Sequence, residues 1–129
     1  MNQILTHVAL LVDDYDDAID FYTRRLNFEL VSDEKLTEKK RWVVVKPKGE
    51  GNCSILLAKA DGDAQKRFVG RQSGGRVFLF LTTDDFDRDF ARLRQQHVKI
   101  VREPSEEVYG KVAVFEDLYG NKWDLIQTK

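Results

Sequence analysis

The sequence predicts an α+β fold with two copies of a βαβββ unit, forming a curled mixed sheet around a groove with the helices on the convex side. Three observations predict it. The chain has 129 residues, enough for one buried core and too few for two ordinary domains. Apolar runs of strand length alternate with two helical stripes. The residues Asp-Asp-Tyr-Asp at 13–16 return as Asp-Asp-Phe-Asp at 84–87, at a constant offset of 71 (84 − 13).

The first repeat begins with an apolar run, Ile4–Val12, that contains His7 and indicates a buried strand. Asp13 or Asp14 then caps a predicted helix, because a carboxylate accepts bonds from the free N–H groups of a first helical turn. The helix carries one apolar stripe at three- and four-residue spacing: Tyr15, Ala18, Ile19, Tyr22 and Leu26. Asn27 is expected to end the helix in the left-handed conformation.

Three further strands are predicted in this repeat: Phe28–Val31, Arg41–Lys46 and Ser54–Lys59. The segment 47–52 separates the last two and is rich in glycine with one proline, which is typical of a turn. Lys35–Arg41 is the most basic stretch of the chain. Because acidic residues interrupt it, we interpret it as a solvated hairpin and not as a phosphate-binding track.

The second repeat follows the same order. Arg76–Thr83 is predicted as a strand, Asp84 or Asp85 as a cap, and a helix with buried Phe86, Phe90 and Leu93 ends near His97. The remaining predicted strands are Val98–Val101, Lys111–Phe115 and Lys122–Gln127. We therefore expect a single domain 1–129, with one repeat over about 1–60, a partly ordered connector Asp61–Gly75 and the second repeat over about 76–129.

Composition excludes several classes of protein. Lys and Arg total 21, Asp and Glu total 22, and the formal net charge is −1, so the basic excess of a nucleic-acid binder is absent. The N-terminal apolar run is interrupted by acidic residues from Asp13 onward and is too short to span a membrane. Cys53 is the only cysteine. A chain without an internal disulfide suits a reducing compartment, and we expect a cytoplasmic protein.

Residues near both ends of the chain resemble one known superfamily. The segments 7–14 (HVALLVDD), 18–22 (AIDFY) and 26–30 (LNFEL) are similar to the first strand and helix of the glyoxalase/bleomycin resistance/dioxygenase superfamily, also called vicinal oxygen chelate proteins. The segment 117–125 (DLYGNKWDL) resembles its closing turn and strand. The resemblance implies the duplicated fold. It leaves the activity open, from isomerases and dioxygenases to proteins that sequester bleomycin without a metal.

The resemblance also implies four metal-ligand positions, one in the first and one in the last strand of each repeat. His7 and Asp124 occupy two of them, and apolar residues, Phe78 and Leu56, occupy the others. A catalytic zinc normally keeps three protein ligands, and iron oxygenases use two His and one carboxylate. We therefore expect no stoichiometric zinc or iron and no organic cofactor. A weakly held divalent metal at His7 and Asp124 stays open.

His7 and Asp124 are also the candidate catalytic residues. Without a metal, a histidine beside a carboxylate serves as a general base whose tautomer the carboxylate fixes. The plainer alternatives are a core histidine bonded to a neighbour, and a structural carboxylate paired with Lys122 or Arg41. We predict that His7 and Asp124 approach each other across one groove, formed within one chain or across a dimer.

Five residues are candidates for ligand binding: Trp42, Arg76, Phe78, Phe80 and Tyr109. Strand alternation places Phe78 and Phe80 on the face opposite the helix. Most aromatic residues in strands belong to a core, but on a helix-free face they indicate a pocket in which a ligand stacks. Arg76 is suited to neutralising an anionic ligand, or to forming an ordinary surface ion pair.

Two functions are compatible with these residues. The first is a protein that binds a small molecule in an aromatic-lined groove, which the apolar Phe78 and Leu56 favour. The second is a divalent-metal-dependent lyase, isomerase or dioxygenase-type enzyme that uses His7 and Asp124. For either function we expect a homodimer, because open curled sheets leave strand edges and apolar concave faces to be covered.

Overall fold

Each half of the chain forms a four-stranded sheet with a helix on one face. The computed structural model describes residues 1–129, which divide into the units Met1–Val69 and Gly70–Lys129. The first unit contains β1 (His7–Val12), α1 (Tyr15–Asp20), a π-helical turn (Phe21–Arg25), β2 (Glu29–Lys35), β3 (Arg41–Lys46), β4 (Ser54–Lys59) and α2 (Gly62–Lys66). The second contains β5 (Val77–Thr82), α3 (Phe86–Gln95), β6 (Ile100–Glu107), β7 (Gly110–Glu116) and β8 (Lys122–Thr128).

The two sheets have the same topology. Their strand orders are β1-β4-β3-β2 and β5-β8-β7-β6. In each, the first and last strands of the unit pair in parallel, and the other pairs are antiparallel. The predicted α+β fold of duplicated βαβββ units with mixed sheets is confirmed. That the two units belong to one domain stays a prediction.

The duplication extends to the helix ends. Asp14 accepts a hydrogen bond from the Asp17 N–H at 2.8 Å, and Asp85 accepts one from the Arg88 N–H at 3.1 Å. The main helices of both units are followed by a non-glycine residue with positive φ, 63° at Asn27 and 59° at His97. The predicted caps and the left-handed end at Asn27 are therefore confirmed, and they fix where each chain segment turns back towards its sheet.

The apolar stripe of the first helix differs from its prediction at one residue. After Asp20 the helix widens, and the Leu26 N–H donates to the Phe21 carbonyl five residues earlier at 3.1 Å. The Thr23 hydroxyl donates to the Ile19 carbonyl at 2.7 Å and so occupies a helical acceptor. The wider turn brings Phe21 into the core, where it is 3% exposed. A regular 3.6-residue period does not predict that burial.

Six of the eight strands have bounds other than those predicted, and β1, β2 and β6 differ by three residues or more at one end. β1 begins at His7 because Ser54 of β4 is its first partner, and Ile4 before it is 86% exposed. β6 begins at Ile100 and runs to Glu107, well beyond the predicted end at Val101. Its pairing with β7 continues past Pro104 by means of two register irregularities.

The connector and the hairpin complete the description. Part of Asp61–Gly75 forms α2, and turns follow it. The basic stretch Lys35–Arg41 joins β2 to β3 as an exposed hairpin, as predicted. None of the helices has the length and apolar character that crossing a membrane requires.

Candidate functional site

We call the sheet face opposite the helix the open face. In the first sheet, Leu10 and Val12 are fully buried on the helix side, whereas His7 and Ala9 of the same strand are exposed. Strand alternation therefore puts His7, Ala9 and Leu11 on the open face. Leu56, which pairs with Ala9, and Trp42 of β3 share that face.

Trp42 is the largest side chain on the first open face. Its ring lies edge-to-face against the His7 imidazole, with centroids 5.8 Å apart, and 36% of the residue is exposed. An indole held by an aromatic neighbour keeps its orientation while leaving a flat surface in solvent. His7 and Trp42 are thus two predicted site residues that the structure brings into contact within one unit.

A cavity of about 1280 Å³ adjoins Trp42 in the first unit. Its apolar lining includes Leu11, Leu56 and Ala58, and the β2–β3 hairpin contributes most of its polar lining. The volume exceeds the range of roughly 300–1000 Å³ that is usual for drug-sized ligands. The first unit therefore offers a wide groove with an apolar floor and a charged rim.

Arg41 fixes the hairpin against α1. Its guanidinium bonds Asp33 at 2.8 Å and Asp16 at 3.0 Å, and it lies 5.1 Å from the centroid of the Tyr15 ring. These carboxylates raise the pKa of Arg41, the hydrogen bond to Asp33 contributing most. Arg41 is thus engaged in ion pairs within the first unit.

In the second sheet, four residues form a row across the strands. Phe80 of β5 pairs with Asp124 of β8, Asp124 with Val114 of β7, and Val114 with Arg102 of β6. Phe80 is 68% exposed, whereas Trp123 and Leu125, which flank Asp124, are buried on the helix side. The row therefore lies on the open face and places a carboxyl between an aromatic ring and a cation.

Asp124 is the one site carboxyl with a perturbed ionisation. It is half-buried, and this burial raises the pKa of its carboxyl above the ordinary value, while the positive charge of Arg102 acts in the opposite direction. The two alternative partners have other bonds: Arg41 bonds Asp33 and Asp16 within the first unit, and the Lys122 ammonium donates to the Gly75 carbonyl at 3.0 Å. The protein therefore holds a carboxyl on this face at some energetic cost.

Asp124→Asn is expected to raise the free energy of unfolding at neutral pH by about 0.5–1 kcal/mol, a typical gain from removing one unfavourable group. Because the folded-state pKa is raised, the wild-type protein loses stability relative to the variant as pH rises from the unfolded-state pKa through the folded one. Below both pKa values the two proteins should differ little. Urea unfolding across this pH range measures the gap. A variant less stable than wild type at neutral pH would mean that the Arg102 attraction outweighs burial.

The donor set does not fit a catalytic metal. Ala9–Leu56 in the first sheet and Phe80–Asp124 in the second are equivalent pairs in register, so Leu56 stands where the second unit has its carboxylate. Phe78 is likewise at the position equivalent to His7. No group of three or more His, Cys, Asp and Glu side chains is arranged to hold a metal ion. His7 belongs to the first unit and Asp124 to the second, and their approach across one groove stays a prediction.

The other predicted ligand-binding residues lie on the second unit. Arg76 is exposed just before β5, and its carbonyl accepts a bond from the Ser73 hydroxyl at 2.5 Å. Phe78 is half-buried at an irregularity in the pairing of β5 with β8. Tyr109 is 53% exposed in the turn between β6 and β7, where its carbonyl accepts from the Lys129 N–H at 3.2 Å. Their roles in binding stay predictions.

Arg102, the cation whose charge acts on the carboxyl of Asp124, was not predicted from the sequence. The predicted β6 ended at Val101, one residue before Arg102. The side chain of Arg102 is held by Glu107 at 2.8 Å and Ser105 at 3.2 Å on the same strand. Residues 102–107 (REPSEE) show no alternation of apolar and polar residues, so the sequence contains no signal for a longer strand.

Comparison with known proteins agrees with the duplicated fold. The sequence pattern described as Glyoxalase/Bleomycin resistance protein/Dioxygenase superfamily matches residues 4–125. An uncharacterized protein of Shewanella frigidimarina (strain NCIMB 400) is 56% identical over 98% of this chain and 95% of its own length. The crystal structure of UcmS2 matches with a TM-score of 0.85 and 33% identity, covering 98% of both chains.

A second solved structure carries a functional description. TnmS3, an antibiotic binding protein from Streptomyces sp. CB03234, is 30% identical, with a TM-score of 0.81 over 99% of this chain and 98% of its own. Fold, internal repeat and sequence agree across nearly the whole length. This chain therefore belongs to the glyoxalase/bleomycin resistance protein/dioxygenase superfamily.

Proposed function

We propose that this protein binds a small molecule with a flat aromatic part on its open sheet faces and sequesters it without converting it. The observation that carries the proposal is Phe80, which is 68% exposed on the open face of the second sheet. An aromatic ring in water has apolar area still to bury, about 25 cal/mol for each Å² covered. A flat ligand stacked on Phe80 would cover it.

The first sheet and the comparisons support the same proposal. Trp42 presents its indole beside a groove with an apolar floor. The His7 ring contacts this indole edge-to-face. Leu56 takes the place at which the equivalent residue of the second unit is a carboxylate, which suits binding better than metal chemistry. TnmS3, at 30% identity, is an antibiotic binding protein. An antibiotic or a compound of similar size is the class of ligand we propose.

Naphthol, a small neutral flat aromatic, is a suitable probe for this proposal. We expect calorimetric titration to detect its binding, and Phe80→Ala and Trp42→Ala each to weaken it by about tenfold, the loss of one stacking contact. Naphthol should also raise the melting temperature of the wild-type protein, because a ligand of the folded state stabilises it.

Phe68→Ala is the matched control for Phe80→Ala. Phe68 is 56% exposed and follows α2, outside the strands of the first sheet. Its removal should leave naphthol affinity unchanged. Equal losses from Phe68→Ala and Phe80→Ala would indicate unspecific adsorption to exposed rings and contradict the proposal.

An enzyme that uses His7 and Asp124 is the second candidate function. It is favoured by Asp124, since a half-buried carboxyl whose pKa burial raises is suited to donating or accepting a proton. In that case Asp124→Asn would abolish turnover of a bound substrate without weakening its binding. Sequestration predicts no chemical change in the bound molecule, which mass spectrometry of the recovered ligand checks.

We also propose that the protein is a homodimer, is located in the cytoplasm and holds no stoichiometric zinc or iron. The dimer would cover exposed apolar residues such as Val101 and Val108, which are 43% and 92% exposed. Sedimentation velocity at micromolar concentration determines the mass, and a monomer would contradict it. Elemental analysis of protein purified without chelator measures the zinc and iron content per chain. Cell fractionation determines the compartment.

A further inference from the structure

We infer that the ligand carries an anionic group, which the β2–β3 hairpin binds while the aromatic part lies on Trp42. This inference rests on the proposed function, whose binding site it extends to the cavity of the first unit. The cavity combines an apolar floor of Leu11, Leu56 and Ala58 with a rim of charged residues. Its apolar floor suits the aromatic part of a ligand, and the charges of its rim determine which ligand charge binds best.

The charges of the rim are unequal once its internal pairs are removed. Five cations line the cavity, Lys35, Lys39, Lys40, Arg41 and Lys59, and four carboxylates, Asp14, Asp33, Glu38 and Asp61. Arg41 binds Asp33 at 2.8 Å, and Lys35 lies 3.4 Å from Glu38. Asp14 accepts the Asp17 N–H as the cap of α1. The remaining cations are Lys39, Lys40 and Lys59, and Asp14 and Asp61 are the two carboxylates left to balance them.

Lys40 lines the same cavity as Trp42. Arg41, between them, turns towards α1, where it bonds Asp16 and contacts the Tyr15 ring. Lys40 is the last residue of the hairpin turn before β3, and both Lys40 and Trp42 line the cavity. A ligand stacked on Trp42 would therefore meet the Lys40 ammonium beside it.

The hairpin tip is held in a defined conformation. The Leu36 and Thr37 N–H groups donate to the Lys40 carbonyl at 2.8 and 3.0 Å. The Thr37 hydroxyl accepts bonds from the Lys39 and Lys40 N–H groups at 3.3 and 3.0 Å. An ordered backbone lowers the entropic cost of presenting two lysines to a ligand. The class of ligand is an aromatic carboxylate, sulfonate or acidic phenol.

Three naphthalene probes of equal ring size and different charge test the inference: naphthoate, naphthamide and naphthylmethylammonium. In calorimetric titrations at low salt we expect naphthoate to bind about tenfold more tightly than naphthamide, and naphthylmethylammonium most weakly. Because the lysines are exposed, the preference for naphthoate should shrink in high salt. Trp42→Ala should weaken all three probes to a similar extent.

The double variant Lys39→Gln/Lys40→Gln identifies the residues responsible. It should lower naphthoate affinity to that of naphthamide and leave naphthamide binding unchanged. Lys99→Gln/Lys129→Gln, in the second unit, removes the same charge and should change neither. Equal naphthoate losses in both double variants would show an effect of net charge alone and overturn the inference.

The outcomes separate this inference from the proposed function. Equal binding of naphthoate and naphthamide, still weakened by Trp42→Ala, would refute the anionic ligand and leave small-molecule binding supported. Tightest binding of naphthylmethylammonium would likewise refute it. Failure of all three probes and of naphthol to bind at millimolar concentration would contradict both.

Discussion

Asp117→Ala is expected to destabilise the protein by about 4 kcal/mol, enough to lower its melting temperature by roughly 10 °C or more. Asp117 is 5% exposed in the turn between β7 and β8. One carboxylate oxygen accepts from the Tyr119, Gly120 and Asn121 N–H groups at 2.9–3.0 Å, and the other accepts from the Asn121 amide at 2.9 Å. Alanine leaves the two buried donors of Asn121, its N–H and its side-chain amide, without this acceptor, and each costs about 1–3 kcal/mol.

Asp85→Ala is the matched control, because the Asp85 carboxylate accepts one backbone N–H at the exposed start of α3. It should cost about 1 kcal/mol, as expected for the loss of a helix cap. Thermal and urea unfolding of both variants measure the difference. Similar losses would mean that water satisfies the turn once Asp117 is removed, and that the turn contributes little to holding β8 and Asp124 in register.

Gly70→Ala is expected to destabilise the protein by about 3 kcal/mol. Gly70 has a φ of 79°, a conformation that L side chains rarely adopt. An added Cβ would overlap the Tyr119 carbonyl oxygen and lie 2.8 Å from its carbon. The clashing atoms belong to the backbone, which cannot move aside as a flexible side chain can. The closing turn would have to shift, and circular dichroism during heating should show a clearly lower transition.

Gly74→Ala separates the clash from the backbone conformation. Gly74 has a similar φ of 69°, and a Cβ there would meet nothing within 4 Å. Its substitution should cost about 1 kcal/mol, the conformational penalty alone. If Gly70→Ala is no worse than Gly74→Ala, the close approach of Gly70 to Tyr119 does not constrain the closing turn.

The repeated local patterns of this chain predicted most of its fold. The aspartates at 14 and 85 cap the two main helices, and Asn27 ends the first, because a cap needs only a short side chain near free N–H groups. The bounds of β3 and β4 were predicted without error, since alternating apolar runs and turn residues define them. Such features depend on neighbours within a few residues.

Two features that depart from regular helix and strand geometry were not predicted. The burial of Phe21 follows from a widened helical turn, and Arg102 joins the row of Asp124 because β6 continues past Pro104. The cation that acts on Asp124 is thus 22 residues away along the chain (124 − 102) and two strands away in the sheet.

The sequence by itself determined the superfamily, the repeat and the candidate residues on the open faces, because side-chain type and strand period are local properties. The tertiary structure decided their chemistry. It half-buries Asp124 and so raises the pKa of its carboxyl, sets Trp42 against His7, and engages Arg41 with Asp16 and Asp33 while Lys40 stays unpaired. The burial and charge environment of a side chain depend on which strands lie beside it. In this chain many of those neighbouring strands are far apart in the sequence.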